Sequence, residues 1–306
     1  FEGYELRTPR IDTVELAQIF YPQLEKYNLG ILCQELGIPL EQAHSALSDA
    51  QATAELFLCM RQKMFGLPKG LLERLLSLSD SLLYESYLVI EEVYQKQSLL
   101  VEHDLVEVQG LFLRKEKPVL SPRKLSKDFQ TNIALLDLED RAPQASFSQK
   151  VQDFLQNEKI AFVQAQTGIG KTYGYLLPAL SLENEKGILL SVPTKVLQNQ
   201  VMQEEACRLE EVFHLSIHNL KGPQNYLKLD AFHHALEEEE SNRLYTRFKM
   251  QLLVWLTETE TGDLDEIGQL YRYQQFLPNL VHDGNLPKAS LFWLEDFWRR
   301  GQKKAR

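Results

Sequence analysis

The sequence has few cysteines and no apolar run long enough to cross a membrane. Its three cysteines stand far apart without paired spacing, which argues against a disulfide framework or a zinc knuckle and indicates a reducing compartment. A membrane helix needs roughly 20 apolar residues, and the nearest candidate, residues 71–90, is interrupted by charged side chains. The chain begins at Phe1 without a basic or apolar leader. We therefore expect part of a longer cytoplasmic protein that has no membrane partner.

The sequence also lacks an excess of positive charge. Its formal net charge is -10, which weighs against attachment of the whole surface to a polyanion, so any nucleic acid must bind a local groove. With 44% hydrophobic and 25% charged residues, the composition is typical of a globular protein. A length of 306 residues suits two domains.

Hydrophobic periodicity divides the chain into a helical first part and an α/β second part. It predicts helices at 13–20, 29–36 and 43–64, an amphipathic helical stretch at 65–97, and a strand pair turning near Gly110. In the second part it predicts helices at 148–157, 171–182 and 195–209, with buried parallel strands at 160–164 and 187–192. The sequence beyond Leu227 is expected to be almost entirely helical, with 237–240 on a solvated helix face.

A phosphate-binding loop lies between the first predicted strand and the helix that follows it. It reads Ala165-Gln166-Thr167-Gly168-Ile169-Gly170-Lys171-Thr172 and departs from the pattern G-x-x-x-x-G-K-[ST] only at Ala165. The glycines let backbone N–H groups turn toward phosphates, Lys171 supplies a positive charge, and the Thr172 hydroxyl can bind Mg²⁺. The alternative is a glycine loop that merely joins a strand to a helix. The context favours a nucleoside triphosphate with magnesium.

The form A-x-T-G-x-G-K-T resembles the loop of superfamily 2 helicases. Upstream, the segment from Arg141 to Gln144 is similar to their R-x-x-Q element, whose glutamine reads adenine. Downstream, Thr194, Lys195 and Gln198 stand in a segment similar to the motif that contacts the backbone of single-stranded DNA. Taken alone, a capping threonine or surface glutamines would explain these residues equally well.

The segment 221–227 resembles the K-G-x-x-N-Y-L element of the XPD and DinG branch of these helicases. In many members the next residue is the first cysteine of an iron-sulfur cluster, whereas here it is Lys228, and no cysteine follows Cys207. We therefore expect no cluster.

Near the N-terminus, His44 and Asp49 form an H-x-x-x-x-D pattern at a helix start. Such a pair can line one cleft, with the carboxylate on a metal and the imidazole deprotonating water, although a surface histidine is the simpler interpretation of an isolated pair. Residues 1–64 resemble DnaQ-like 3′→5′ exonucleases of the DEDDh type. The resemblance implies that His44 is the general base and Asp49 a metal ligand. Asp12-x-x-Glu15 is not the D-x-E pair of that family, and a helix cap is expected there.

An exonuclease part followed by a helicase core without cluster cysteines resembles the DinG proteins of Gram-positive bacteria. The resemblance implies an α/β chain that holds the C-terminal part of an RNase H-like exonuclease domain (1–64), a connector or small subdomain (65–127), and part of a P-loop RecA-like helicase domain (128–306) with a helical insertion from about 227. It implies ATP and Mg²⁺ or Mn²⁺ as cofactors and DNA, single-stranded or with a 3′ end, as partner.

A working motor also needs a D-E-x-H element, and Asp265-Glu266 does not supply it, because a solvent-facing helix start is expected there. We therefore expect the chain itself to be inactive. One alternative is a nucleotide-dependent single-stranded DNA-binding or helicase module in which the nuclease remnant is structural. A third hypothesis is an unrelated P-loop enzyme such as a small-molecule kinase.

Overall fold

The computed structural model describes residues 8–40, 45–97, 104–116, 121–182, 187–285 and 287–304. Its helices and strands in chain order are α1 (Thr13–Phe20), α2 (Leu29–Leu36), α3 (Ala46–Phe65), α4 (Lys69–Ser77), α5 (Tyr87–Lys96), β1 (Leu105–Val108), β2 (Leu111–Arg114), α6 (Phe129–Leu135), α7 (Ala142–Gln156), α8 (Lys171–Ser181), α9 (Lys195–Val201), a π-helix (Met202–Ala206), α10 (Cys207–Phe213), α11 (Leu229–Glu237), α12 (Arg243–Trp255) and α13 (Phe297–Lys304). Short 3₁₀ helices occupy Ser79–Ser81, Pro223–Asn225, Leu264–Glu266, Leu270–Tyr273 and Leu277–Asn279.

The chain packs into two compact units. Unit 1 combines Phe1–Glu116 with Gly222–Arg306, and unit 2 consists of Lys117–Lys221. The division into 1–64, 65–127 and 128–306 was made from motifs and resemblance, and it stays a prediction. Packing joins the predicted helical insertion to the N-terminal residues, although long stretches of sequence separate them.

Local signals set the first two helices of unit 1. Asp12 caps α1 by accepting a hydrogen bond from the Glu15 amide at 2.9 Å, and Asn28 caps α2 by accepting from the Ile31 amide at 3.0 Å. The predictions for 13–20 and 29–36 are confirmed at both ends, and so is the cap at Asp12. The helix predicted at 43–64 is confirmed over its described part, in which α3 begins at Ala46.

The predicted strand pair near Gly110 is also confirmed. Strands β1 and β2 pair antiparallel, with Val108 opposite Leu111. Gln109 and Gly110 both have positive φ, 50° and 73°, as the tight turn of a two-residue hairpin requires. Leu111 and Leu113 are fully buried, so one face of the hairpin adds to the core of unit 1.

Helix α12 lies in the core of unit 1. Residues 248–256 are all buried, and α12 packs against α1. At this contact the buried carboxylate of Glu15 accepts hydrogen bonds from Arg247 Nη1 at 3.1 Å and from the Leu83 amide at 2.7 Å. The first helix, the connector and the insertion therefore share one core.

One prediction for the C-terminal part is wrong, and a second is confirmed only in part. Between α12 and α13 the described residues form short 3₁₀ helices, turns and loops, so this stretch is not almost entirely helical. Asp265 is exposed in the short 3₁₀ helix Leu264–Glu266, as expected, whereas Glu266 is half-buried: its Oε2 accepts a hydrogen bond from Trp255 Nε1 at 3.2 Å, and burial raises the pKa of its carboxyl. The segment 237–240 is exposed as expected, although α11 ends at Glu237.

Unit 2 is a cluster of helices around a smaller apolar core. Its buried side chains include Ile133, Leu136, Leu177, Leu209 and Phe213. The helix predicted at 171–182 is confirmed as α8, the one at 195–209 is found as α9, the π-helix and α10, and the one at 148–157 begins earlier, at Ala142.

The two strands predicted in unit 2 are wrong for this structure. Residues 160–164 and 187–192 have no strand conformation in the described chain, and Ile160, Phe162 and Leu189 are 95%, 101% and 90% exposed. A parallel strand takes its hydrogen bonds from neighbouring strands, and no described residue of unit 2 pairs with these segments. The apolar sequence of these two segments is therefore not sufficient for them to form a sheet.

Candidate nucleotide site

The phosphate-binding loop leads directly into α8. Helix α8 begins at Lys171, and its N-cap, Gly170, has φ 80°. Gly168 is also in the left-handed region, with φ 85°. Two left-handed residues around Ile169 fold the loop back over the first turn of the helix, where free amide groups and the helix dipole attract anions. The local backbone therefore suits a phosphate group.

Helix α7 supports this loop from one side. Gln144 is 4% exposed, and its Nε2 donates a hydrogen bond to the carbonyl oxygen of Gly170 at 2.8 Å. Close packing brings α7 to this position, because a Cβ at Gly174 would lie 2.7 Å from Phe147. The more exposed Arg141 donates from Nη1 to the Gly168 carbonyl at 3.4 Å and also pairs with Glu139. The upstream motif and the loop are thus brought together.

Lys171 points into the loop. Its ammonium group donates to the carbonyl oxygens of Gln166 at 2.9 Å and Ala165 at 3.4 Å. These carbonyl oxygens hold the positively charged Lys171 ammonium group against the loop, close to the N-terminus of α8. A phosphate there would meet a cation and backbone amides together.

Thr172 lies beside a carboxylate that was missed in the sequence. Burial raises the pKa of Glu205, and the Thr172 hydroxyl partly offsets this rise through a hydrogen-bond interaction. Burial also raises the pKa of Tyr175, which interacts with the same hydroxyl. Hydroxyl and carboxylate oxygens are hard ligands of the kind that Mg²⁺ prefers, so the side chains here fit such an ion.

The predicted DNA-contact residues surround the start of α9. Thr194 is the N-cap of α9, and its hydroxyl accepts a hydrogen bond from the Leu197 amide at 3.2 Å. Gln198 donates from Nε2 to the Leu220 carbonyl at 3.0 Å, and Lys195 is exposed. Both bonded side chains therefore have structural roles, and their contact with DNA stays a prediction.

The predicted nuclease residues are not assembled into a site by the described part of the chain. Asp49 is half-buried in the first turn of α3, whereas His44 lies outside the described residues. Among the residues described, no group of three or more His, Cys, Asp or Glu side chains could hold a metal ion. The roles of His44 as general base and Asp49 as metal ligand stay predictions.

Lys228 occupies the position where the resembling helicases carry a cysteine. Its Nζ pairs with Asp283 Oδ1 at 3.0 Å, and its backbone amide donates to the Leu280 carbonyl at 2.8 Å. These contacts join the start of α11 to the loop at 280–283. None of the helices in the described ranges is long and apolar enough to span a membrane.

Comparison with known proteins finds relatives of both parts of the chain. Residues 2–57 match an exonuclease family, and residues 144–259 match the DEAD/DEAH box helicase family. The 3'-5' exonuclease DinG of Staphylococcus saprophyticus is 31% identical over 287 residues, with 89% of this chain and 32% of the relative covered. The 3'-5' exonuclease DinG of Staphylococcus aureus (strain USA300) is 31% identical over 285 residues, with the same coverage.

These matches confirm the resemblance to the DinG exonucleases, with an N-terminal segment similar to exonucleases and a later segment similar to DEAD/DEAH box helicases. The chain spans about a third of the length of the curated relatives that it matches. No solved structure matches it.

Proposed function

We propose that this relative of the DinG exonucleases belongs to an ATP-binding, helicase-like 3′→5′ exonuclease that acts on DNA, and that residues 165–172 bind the phosphates of ATP. The observation that supports the ATP site is the loop itself. The loop combines two left-handed glycines with the Lys171 ammonium group, and it leads directly into the start of α8. Thr172, Arg141 and Gln144 complete the proposed site.

Magnesium, when bound with ATP, would neutralise phosphate charge, and Thr172 is the residue of the loop proposed to hold it. Gln144 donates a hydrogen bond to the Gly170 carbonyl and so supports the left-handed conformation of this glycine. We propose that the same amide reads adenine once ATP is bound. We also propose that Thr194, Lys195 and Gln198 contact single-stranded DNA, where a hydroxyl, an ammonium group and an amide suit phosphate oxygens without reading sequence.

ATP binding is tested with a fluorescent ATP analogue and anisotropy. We expect Lys171→Ala to weaken binding by about 10-fold or more, because a hydrogen bond to a charged group contributes about 1.5–3 kcal/mol. The matched control is Lys150→Ala, which removes an exposed lysine of α7 in the same unit. Equal binding by wild type and Lys171→Ala would refute the proposed site.

The nuclease proposal is tested by degradation of a radiolabelled single strand. A protein extended upstream should degrade the strand with Mg²⁺ or Mn²⁺, and His44→Ala should abolish this activity. The 306-residue chain alone is expected to bind nucleotide without degrading DNA, because no D-x-E pair stands between Phe1 and His44. An extended protein that degrades nothing with either ion contradicts the nuclease proposal.

A second candidate function is a nucleotide-dependent single-stranded DNA-binding module in which the nuclease remnant is structural. It is favoured by a contrast between the two parts: the carbonyl of Gln166 holds the Lys171 ammonium group in the phosphate-binding loop, whereas no group of three or more His, Cys, Asp or Glu side chains among the described residues could hold a metal ion. This candidate predicts that no D-x-E pair exists upstream. The full reading frame distinguishes the two candidates.

A further inference from the structure

We propose that Glu205 is a positioning residue of the nucleotide site, a carboxylate that acts on the magnesium-binding corner through the hydroxyl of Thr172. The inference rests on the proposed function, since it requires ATP and a divalent cation at the loop. It adds a residue that lies outside every motif recognised in the sequence, more than thirty positions beyond the loop.

The backbone around Glu205 departs from an ordinary helix. Met202–Ala206 form a π-helix between α9 and α10, and the turn with wider hydrogen bonds lies in the middle of what would otherwise be one continuous helix. Such segments often occur at functional sites, since they change the direction of the side chains that follow. Glu205 belongs to this segment, and its charge acts on Tyr173 and Tyr175 in the first turns of α8.

One oxygen of the Glu205 carboxylate, Oε2, is buried and has no hydrogen-bond partner among the described residues. A buried carboxylate oxygen without a donor or a cation is unfavourable, and burial accordingly raises the pKa of this carboxyl. Thr172 is the nearby hydroxyl that interacts with the Glu205 carboxyl. The Thr172 hydroxyl is therefore a hard oxygen ligand at the start of α8, and the Glu205 carboxyl behind it has unused bonding capacity.

The neighbouring Glu204 shows that this placement is specific to one side chain. Glu204 is exposed, and its Oε2 accepts a long hydrogen bond of 3.4 Å from Gln200 on the surface. The two glutamates share the same π-helix and the same charge. Only Glu205 faces Thr172, so Glu204 provides a matched control.

A structural role would be the simpler explanation, with Glu205 merely supporting the junction between α9 and α10. The two explanations differ in whether the effect of Glu205 on nucleotide affinity depends on magnesium. A residue that acts on bound magnesium changes nucleotide affinity when magnesium is present. A residue that only supports the fold changes affinity equally with and without the ion.

The experiment measures the affinity of the 306-residue chain for mant-ATP in excess Mg²⁺ and in EDTA. Wild type should bind more tightly with Mg²⁺. In Glu205→Gln, which keeps size but removes charge, we expect this magnesium-dependent gain to fall by about 10-fold, as is typical when a group behind a metal ligand is changed. Affinity in EDTA should stay equal or become tighter, because a negative charge near the phosphates has been removed. Glu204→Gln should behave like wild type in both buffers.

The outcomes of this experiment separate the inference about Glu205 from the proposed ATP site. A magnesium-dependent gain in Glu205→Gln equal to that of wild type overturns the inference, and so does an equal loss of affinity in both buffers. Wild-type affinity that does not depend on magnesium also overturns it, while ATP binding at the loop stands. No binding by wild type, or binding by Lys171→Ala equal to wild type, refutes the proposed function itself.

Discussion

The buried carboxylate of Glu15 provides the strongest test of how unit 1 is held together. It is 4% exposed and accepts hydrogen bonds from Arg247 on α12 and from the Leu83 amide. Glu15→Ala leaves both donors without their acceptor. Because Arg247 and Glu15 are separated by more than two hundred residues, the substitution weakens a contact between distant parts of the sequence.

The magnitude follows from the surroundings of the two donors. Breaking a buried ion pair by removing one partner costs about 3–5 kcal/mol. The Arg247 side chain retains 18% exposure and can recruit some water, so the lower end, about 3 kcal/mol, is expected. In a unit of about 200 residues this corresponds to a decrease in Tm of about 6–12 °C. Glu15→Gln should cost less, because its amide oxygen can still accept from Leu83.

Tryptophan fluorescence measures the destabilisation by Glu15→Ala in unit 1 alone. The three tryptophans, Trp255, Trp293 and Trp298, all belong to unit 1, so a urea titration followed by tryptophan emission reports its unfolding. Asp104→Ala is the control, since Asp104 pairs with Lys115 at 3.8 Å and is 85% exposed, and it should cost less than about 1 kcal/mol. The reasoning is refuted if Glu15→Ala destabilises unit 1 no more than this control.

Two further predictions concern the loop and the acid stability of unit 1. Gly170→Ala should destabilise unit 2 by about 2–3 kcal/mol, from left-handed strain plus displacement of Gln144, whose Nε2 would lie 2.2 Å from the new Cβ. Gly168→Ala, with open space at its Cβ, should show the strain alone, and equal losses in circular dichroism melts would contradict the Gln144 contact. Separately, the hydrogen bond from Arg61 lowers the pKa of Glu92 to about 2, so its stabilising contribution is present above pH 4.5 and is lost as pH falls to about 2. In Glu92→Gln, the free energy of unfolding of unit 1, followed by tryptophan emission, should fall less steeply between pH 4.5 and pH 2. An unchanged dependence on pH would count against the Arg61 interaction.

The candidate site was predictable where its residues are close in sequence. The loop at 165–172 is one contiguous segment, and its glycines take the left-handed conformations that the pattern requires. Glu205 was not predictable, because it belongs to no recognised motif and approaches Thr172 only when α8 and the π-helix are placed by the fold.

Sequence by itself determined the features whose hydrogen bonds are local. The cap at Asp12, the helix at 29–36 and the turn near Gly110 form from neighbouring residues, so their positions were predicted correctly. Only the tertiary structure decided which segments are buried or paired with residues that are distant in the sequence. The apolar segments 160–164 and 187–192 have no strand partner in the described chain and stay exposed, whereas α12 is buried because α1 and the connector cover it. Apolar sequence indicates that a segment can be buried, but the partner that buries it is chosen by the packing of residues far apart in the chain.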